Sequence, residues 1–406
     1  MKSRGYSIAV VSRRAEQSIA GGHPWVYDSE VQSIQPACAD GMPCDVVNSA
    51  GKYIATAFYN SSSKIRLRII STNVNEPVDA AFFERRLRRA VDYRRSVMGE
   101  QFSCCRLVFG DADGLPGLTV DRFGDVLVTQ TLSLGIELHK QEIFSSLVAI
   151  LREMGEDIRG VYERNDVSVR RLEGMEQGVG WLPMDCTPDA AALPTDVIIT
   201  ENGIKYHVDI ANGQKTGFFL DQKFNRQAVA RIAKGKRVLD CFTHTGSFAL
   251  NAARAGAESV TAVDISEDAL STARANAALN GLDNVDFLCA NVFDLLPTLK
   301  KGAYDLIILD PPAFTKSRAT IENAIKGYKE INLRAMKLLA GGGWLATCSC
   351  SHFVTDTLFC DMLRSAAADA GVRLRQAEAR QQAADHPIAW GIPETAYLKF
   401  YIFQKM

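Results

Sequence analysis

No stretch of the sequence approaches the ~18 consecutive apolar residues that a membrane-spanning helix takes. The apolar run near the start, Ile8-Ala9-Val10-Val11, is too short for the core of a signal peptide. A cytoplasmic protein with no membrane partner is expected. Charge of either sign is not in excess, because 46 lysines and arginines against 47 aspartates and glutamates leave a formal net charge of -1. A global positive field toward nucleic acid is thereby excluded, and any basic patch must be local. Histidine is scarce, with six residues, and no Cys-x-x-Cys or His pair of metal-site spacing accompanies the ten cysteines, so no metal is expected. Without a secretory context those cysteines are expected to be reduced. Internal repeats and low-complexity segments are absent too. With 406 residues, 47% of them hydrophobic, the chain is long enough for two or three domains with well-filled cores.

Three regions differ in texture. Residues 1–72 carry short apolar alternations, such as Ile65-Arg66-Leu67-Arg68-Ile69-Ile70, broken by Gly, Pro, Asn and Ser, which predicts a small β-rich module. Arg13, Arg14, His23, Pro24 and Trp25 lie near its start, as a contact surface or as an ordinary surface with one packed tryptophan. Residues 73–194 turn to helix and hairpin. Phe82, Phe83, Leu87, Val91 and Val97 recur at near-helical spacing over 79–98, and the polar positions hold Arg85, Arg86, Arg88, Arg89, Arg94 and Arg95. Most charge runs are solvated faces, but arginine binds phosphate in a fork, so these six are candidates for RNA contact. A β-meander and a helix over about 136–155 follow.

From residue 195 to 406 the pattern becomes regular. An Asn-Gly turn sits between two alternating runs in VIITENGIKYHVDI, which predicts a hairpin. Buried strands then alternate with helix-length segments: KRVLDCF, SVTAVDI, VDFLCAN, YDLIILD and GGWLATCSC. That alternation predicts an α/β fold, a parallel sheet covered by helices on both faces, with ligands beyond the C-terminal ends of the strands.

The strand ends carry the chemistry. The first finishes in Asp240-Cys241-Phe242-Thr243-His244-Thr245-Gly246, an acidic residue and a loop that reaches glycine where a helix begins. The second ends at Asp264, where a carboxylate can take both hydroxyls of a ribose. The glycine spacing does not match G-x-G-x-x-G, which argues against a nicotinamide dinucleotide. The third ends at Asn291, able to meet an adenine edge or to serve as a turn residue. The fourth ends in Asp310-Pro311-Pro312-Ala313-Phe314, whose two prolines stiffen the loop behind a carboxylate. Cys348 and Cys350 flank Ser349 at the end of the fifth strand. A disulfide across one residue would be strained. What remains is an inert buried pair or a nucleophile, and one chemistry that needs a thiolate is addition to C6 of cytosine, which turns the unreactive C5 into an enamine carbon.

These elements in this order resemble class I S-adenosylmethionine-dependent methyltransferases. By that resemblance the loop with Asp240, Phe242, Thr243 and Gly246 approaches the amino-acid part of the cofactor, Asp264 its ribose and Asn291 the adenine, while Asp310 faces the substrate base. Aspartate is usual at the position of Asn291, which makes that contact a departure. RNA cytosine-C5 methyltransferases carry Thr-Cys-Ser at this place, and counting from Gly342-Gly343 points to Cys350 as nucleophile with Cys348 in reserve. Along the whole chain, Gly22-His23-Pro24-Trp25-Val26, the stretch Gly110 to Leu118, Gly213 to Gln222, Asp385-His386-Pro387 and Tyr397-Leu398-Lys399 resemble the bacterial ribosomal large subunit methyltransferase I family, which acts on 23S rRNA. The resemblance implies a PUA RNA-binding domain over 1–72, a small α/β middle domain over 73–194 and a Rossmann-like catalytic domain over 195–406. It further implies ribosomal RNA as partner, S-adenosylmethionine as cofactor, Gly217, Phe219, Gln222 and Arg226 bordering its pocket, RNA contact through His23 and Trp25, and a homodimer. Two other functions stay open at this point: an exocyclic-amine methyltransferase with Phe314 stacking the base, and a noncatalytic RNA-binding assembly factor with a degenerate cofactor fold.

Overall fold

The apolar alternations at the start of the chain pair with one another. Pro43–Val47, Tyr53–Tyr59 and Ile65–Ser71 form successive antiparallel pairs, and Ser7–Val11 joins Pro43–Val47 in parallel. With Trp25–Tyr27 and Val31–Gln35 they make a six-stranded sheet over a core of Ala9, Val11, Val26, Val46, Ala55 and Leu67. The computed structural model, which describes residues 4–315 and 317–406, separates into two units. The first comprises the chain up to Ile199, Val208–Leu220 and Ala384–Thr395.

The same unit holds a five-stranded sheet. Cys104–Phe109, Leu118–Phe123 and Val126–Thr131 form the expected meander, Gly160–Arg164 adds in parallel, and Val179–Trp181 closes the edge. The arginine-rich helix runs Ala80–Met98, started by the Asp79 carboxylate, which accepts from Phe82 N at 2.9 Å. Its apolar stripe of Phe82, Phe83, Leu87 and Val91 is fully buried. The helix expected over about 136–155 runs Lys140–Glu153.

The second unit comprises Thr200–His207, Asp221–Ala383 and Ala396–Met406. Its sheet is built from β1 (Arg237–Cys241), β2 (Ser259–Asp264), β3 (Val285–Cys289), β4 (Leu306–Leu309), β5 (Trp344–Ser349), β6 (Leu374–Arg380) and β7 (Lys399–Lys405). The order is β3-β2-β1-β4-β5-β7-β6, with β1 to β5 parallel and β7 antiparallel to both β5 and β6. Successive residues alternate between two apolar cores, Val238 and Leu306 in one, Leu239 and Ile307 in the other, so these strands read as continuous apolar runs. Helices α1 (Lys223–Ala233), α2 (Ser247–Arg254), α3 (Glu267–Leu279), α4 (Ile321–Leu338) and α5 (Asp356–Ala370) complete the layers. Strand order reverses between β1 and β4, and a sheet of this kind opens its ligand crevice beyond that reversal. The predicted hairpin turn is present, with Asn202 at φ 54° and Gly203 at φ 75°, the pair of positive angles that such a turn needs.

Candidate active site

The loop after β1 is held in an unusual backbone conformation. Phe242, His244 and Gly246 have φ of 64°, 52° and 86°. Positive φ at a phenylalanine is uncommon and costs energy, and such residues persist where the surroundings over-determine them. Here two carboxylates do so. Asp240, at the end of β1 and fully buried, accepts from Thr243 Oγ1 at 2.6 Å and from Ala249 N at 2.9 Å. Asp264, at the end of β2, accepts from His244 N at 2.8 Å and Ser266 N at 3.0 Å. The remaining oxygen of Asp240, Oδ1, is buried without a hydrogen-bond partner among the described residues. Burial, with Asp310 and Asp264 adding to it, pushes the Asp240 carboxyl up to about 7.

At the C-terminal ends of β4 and β5 three side chains converge. The Cys348 thiol donates to Asp310 Oδ1 at 2.9 Å, and Gln222 Nε2 donates to the same oxygen at 3.0 Å and approaches Cys348 Sγ at 3.4 Å. Gln222 precedes α1 and is itself held by Asn225 Nδ2, which donates to its Oε1 at 2.7 Å. Burial raises the Asp310 carboxyl, opposed by the thiol's hydrogen bond. Burial and the adjacent Asp310 charge push the Cys348 thiol well above its ordinary range. Cys348 is therefore a neutral donor packed in the core, not a thiolate.

Cys350 differs in setting. It follows the last residue of β5 and is partly exposed, whereas Cys348 is 1% exposed. Lys399, directly opposite Ser349 on β7, is 7% exposed, and its ammonium donates to the carbonyls of Ser351 at 2.7 Å and Tyr397 at 2.8 Å. Burial lowers the Lys399 amine to about 8, with Cys350, Asp356 and Cys348 acting in the opposite direction. Tyr328 of α4 shares a hydrogen bond of 2.8 Å with Ser351 Oγ. Sequence reasoning did not single out Lys399 for a role; the available signal was a lysine heading the apolar run Phe400-Tyr401-Ile402-Phe403. Among the described residues no cluster of His, Cys, Asp and Glu is arranged to hold a metal.

Other candidates fall elsewhere. Asn291 is exposed and caps the short helix Val292–Leu295, its Oδ1 accepting from Phe293 N at 3.0 Å, which is the turn-type role. Phe314 is packed, its ring 4.5 Å from that of Tyr328 and 5.9 Å from that of Phe293. Arg226 is buried in an ion pair with Glu201 at 2.6 Å. Gly217 and Phe219 belong to the first unit, where Gly217 has φ 123° and Lys215 Nζ lies 4.4 Å from the centre of the Phe219 ring.

The six arginines are not one basic face. Arg94 is 0% exposed, pairs with Asp113 at 2.6 and 2.8 Å, and donates to the carbonyls of Arg106 and Asp385 at 2.9 Å each, so it is corrected from RNA contact to core ion pair. A buried guanidinium is tolerated only when so paired. Arg85 and Arg86 pair with Glu76, and Arg88 with Glu84 and Glu153. Arg89 and Arg95 are exposed and form no ion pair among the described residues. Trp25 is half-buried, with Nε1 donating to Asp111 Oδ1 at 3.1 Å, and His23 Nε2 lies 3.3 Å from Glu394 Oε2. That is the packed-tryptophan alternative.

The sheet order and the acidic strand ends define a class I S-adenosylmethionine-dependent methyltransferase. Residues 188–389 match the family model of S-adenosylmethionine-dependent methyltransferases, and residues 9–72 match that of PUA-like domains. Over 391 residues the chain is 43% identical to ribosomal RNA large subunit methyltransferase I of Pseudoalteromonas translucida, covering 95% of this chain and 96% of that protein. The Aeromonas hydrophila protein of the same name is 42% identical over 400 residues, covering 97% and 98%. The chain belongs to the ribosomal RNA large subunit methyltransferase I family. Among solved structures, a SAM-dependent methyltransferase from Streptococcus mutans shares the fold with a TM-score of 0.79 at 22% identity, over 98% of this chain and 100% of that one. A methyltransferase solved in complex with SAH gives 0.80 at 22% identity, with the same coverage. No helix among the described residues is long and apolar enough to cross a membrane.

Proposed function

We propose that the chain methylates C5 of a cytosine in the 23S RNA of the large ribosomal subunit, with Cys350 as covalent nucleophile. The substrate class rests on the family, whose members are named for ribosomal RNA of the large subunit. The observation that carries the chemistry is the split between the two cysteines: Cys348 is buried and hydrogen-bonded to Asp310, whereas Cys350 is partly exposed past the end of β5 beside a buried ammonium. One thiol is locked as a donor and the other is placed to attack.

S-adenosylmethionine, when bound, supplies the electrophilic methyl group. The residues fit it, since Asp240 Oδ1 is a buried acceptor that lacks a donor among the described residues and the loop around it is held in strained geometry. Asp240, Phe242, Thr243, Gly246 and Asp264 would hold the cofactor. The Cys350 sulfur forms a bond to C6 of a cytidine turned out of its stack, and the C5–C6 electron pair moves to C5. Asp310, its carboxyl raised by burial, accepts from N4 or donates to N3, so that charge is stabilised where it develops. The C5 electron pair would take that methyl group, the cofactor's sulfur leaving as a neutral thioether; a base then removes the C5 proton, the C5–C6 double bond re-forms and the Cys350 thiolate leaves.

The amine-directed alternative requires Phe314 to stack the base, and that ring is packed against Tyr328 and Phe293. The test is methyl transfer to unmodified 23S rRNA, with the product base identified by mass. The expected product is 5-methylcytosine, and an N-methylated base would contradict the proposal.

A further inference from the structure

We propose that Lys399 is a cation that holds the Cys350 thiol as thiolate, a positioning residue that acts through the nucleophile. The inference rests on the reading of Cys350 given above. β5 and β7 are antiparallel neighbours, and their register sets Lys399 directly opposite Ser349, one residue before the nucleophile. The amine is then fixed by the carbonyl of Ser351, one residue after it, at 2.7 Å and by that of Tyr397 at 2.8 Å. Two main-chain carbonyls orient an ammonium without neutralising it. Lys399 takes part in none of the ion pairs among the described residues, although it is 7% exposed. A buried ammonium without a carboxylate partner is costly, and a nearby thiolate recovers part of that cost. A lysine beside a cysteine is one of the settings that lower a thiol's pKa.

Two of the described groups near Cys350 stay uncharged. Tyr328 from α4 and Cys348 from β5 are both raised above their ordinary range by burial and remain neutral. Asp356, at the start of α5, bears on Lys399 with the opposite charge, and its carboxylate is engaged by the Tyr401 hydroxyl at 2.6 Å. The amine itself, lowered to about 8 by burial, still carries its proton at neutral pH. Lys405 on the same strand offers an internal control. It is also 7% exposed and donates to main-chain carbonyls, those of Met336 and Leu339, but it stands at the far end of β7.

The first experiment follows alkylation of the full-length protein by iodoacetamide from pH 5 to 10, with the Cys350-containing peptide quantified by mass spectrometry. Lys399→Met should lower the rate at Cys350 about tenfold at pH 7 and move its half-maximal pH upward by about one. Lys399→Arg should restore most of the rate, and Lys405→Met should leave it unchanged. A Lys399→Met protein that binds S-adenosylmethionine normally and alkylates like the wild type overturns the proposal. A second measurement needs no change at Lys399. Because the coupling is reciprocal, Cys350→Ser should make the Lys399 amine titrate at lower pH, followed through its side-chain carbon resonance. An unchanged titration also overturns it. Methyl transfer by Cys350→Ala is a separate outcome: activity surviving there defeats the nucleophile reading and leaves the measured coupling between the two side chains as it stands.

Discussion

The thiol of Cys348 donates to Oδ1 of Asp310 at 2.9 Å, an oxygen also held by Gln222 at 3.0 Å. Two donors on one part-buried carboxylate oxygen fix its direction, so in the proposed mechanism Cys348 supports the site while Cys350 attacks. Cys350→Ala is therefore expected to lower kcat by about 10⁴-fold or more, as loss of an attacking residue does. Cys348→Ala should destabilise the fold by about 1–2 kcal/mol and keep measurable turnover. Steady-state kinetics beside urea unfolding checks both, and equal loss of turnover in the two variants would remove the distinction.

Asp240 makes stability depend on pH. Its folded pKa is raised from 3.8 to about 7, so the folded chain holds a proton that the unfolded chain has released. The stabilising contribution is complete below about pH 4 and is lost as pH rises through about 7. That interval corresponds to at most about 4 kcal/mol. Without cofactor, the urea midpoint of the wild type should fall between pH 4 and 8 relative to that of Asp240→Asn. Parallel curves for the two proteins would contradict this.

The arginine-rich helix divides by burial. Arg94→Ala leaves Asp113 and two carbonyls without their partner and should cost about 3–5 kcal/mol. Arg89 and Arg95 are exposed, and replacing both with glutamine should leave stability within about 0.5 kcal/mol. If they contact phosphates, the same double variant should weaken RNA binding and reduce the salt slope of log K by about 2. Filter binding at several salt concentrations reads this directly, and an unchanged slope makes the helix a solvated face.

Much of this was legible in the sequence. The five apolar runs became β1 to β5 because parallel strands buried on both faces leave a continuous apolar signature between turn residues. The Asn202-Gly203 turn was legible because few residue pairs take two positive φ angles. Arg94 was not, since a buried arginine and an exposed one share the same helical spacing and its partner, Asp113, comes 19 residues later. Lys399 stood in a family-like stretch, but its contacts were not legible: its partners are main-chain carbonyls, which leave no residue pattern. The bond from Gln222 to Asp310 spans 88 residues and was equally invisible as a contact.

RNA carrying 5-fluorocytidine tests whether a covalent bond forms between Cys350 and the base. Fluorine at C5 cannot leave as a proton does, so the adduct stalls and survives a denaturing gel. Wild type and Cys348→Ala should each give a protein–RNA band whose crosslinked peptide contains Cys350, and Cys350→Ala should give none. A band that persists in Cys350→Ala, or a crosslink that maps to Cys348, would contradict the account.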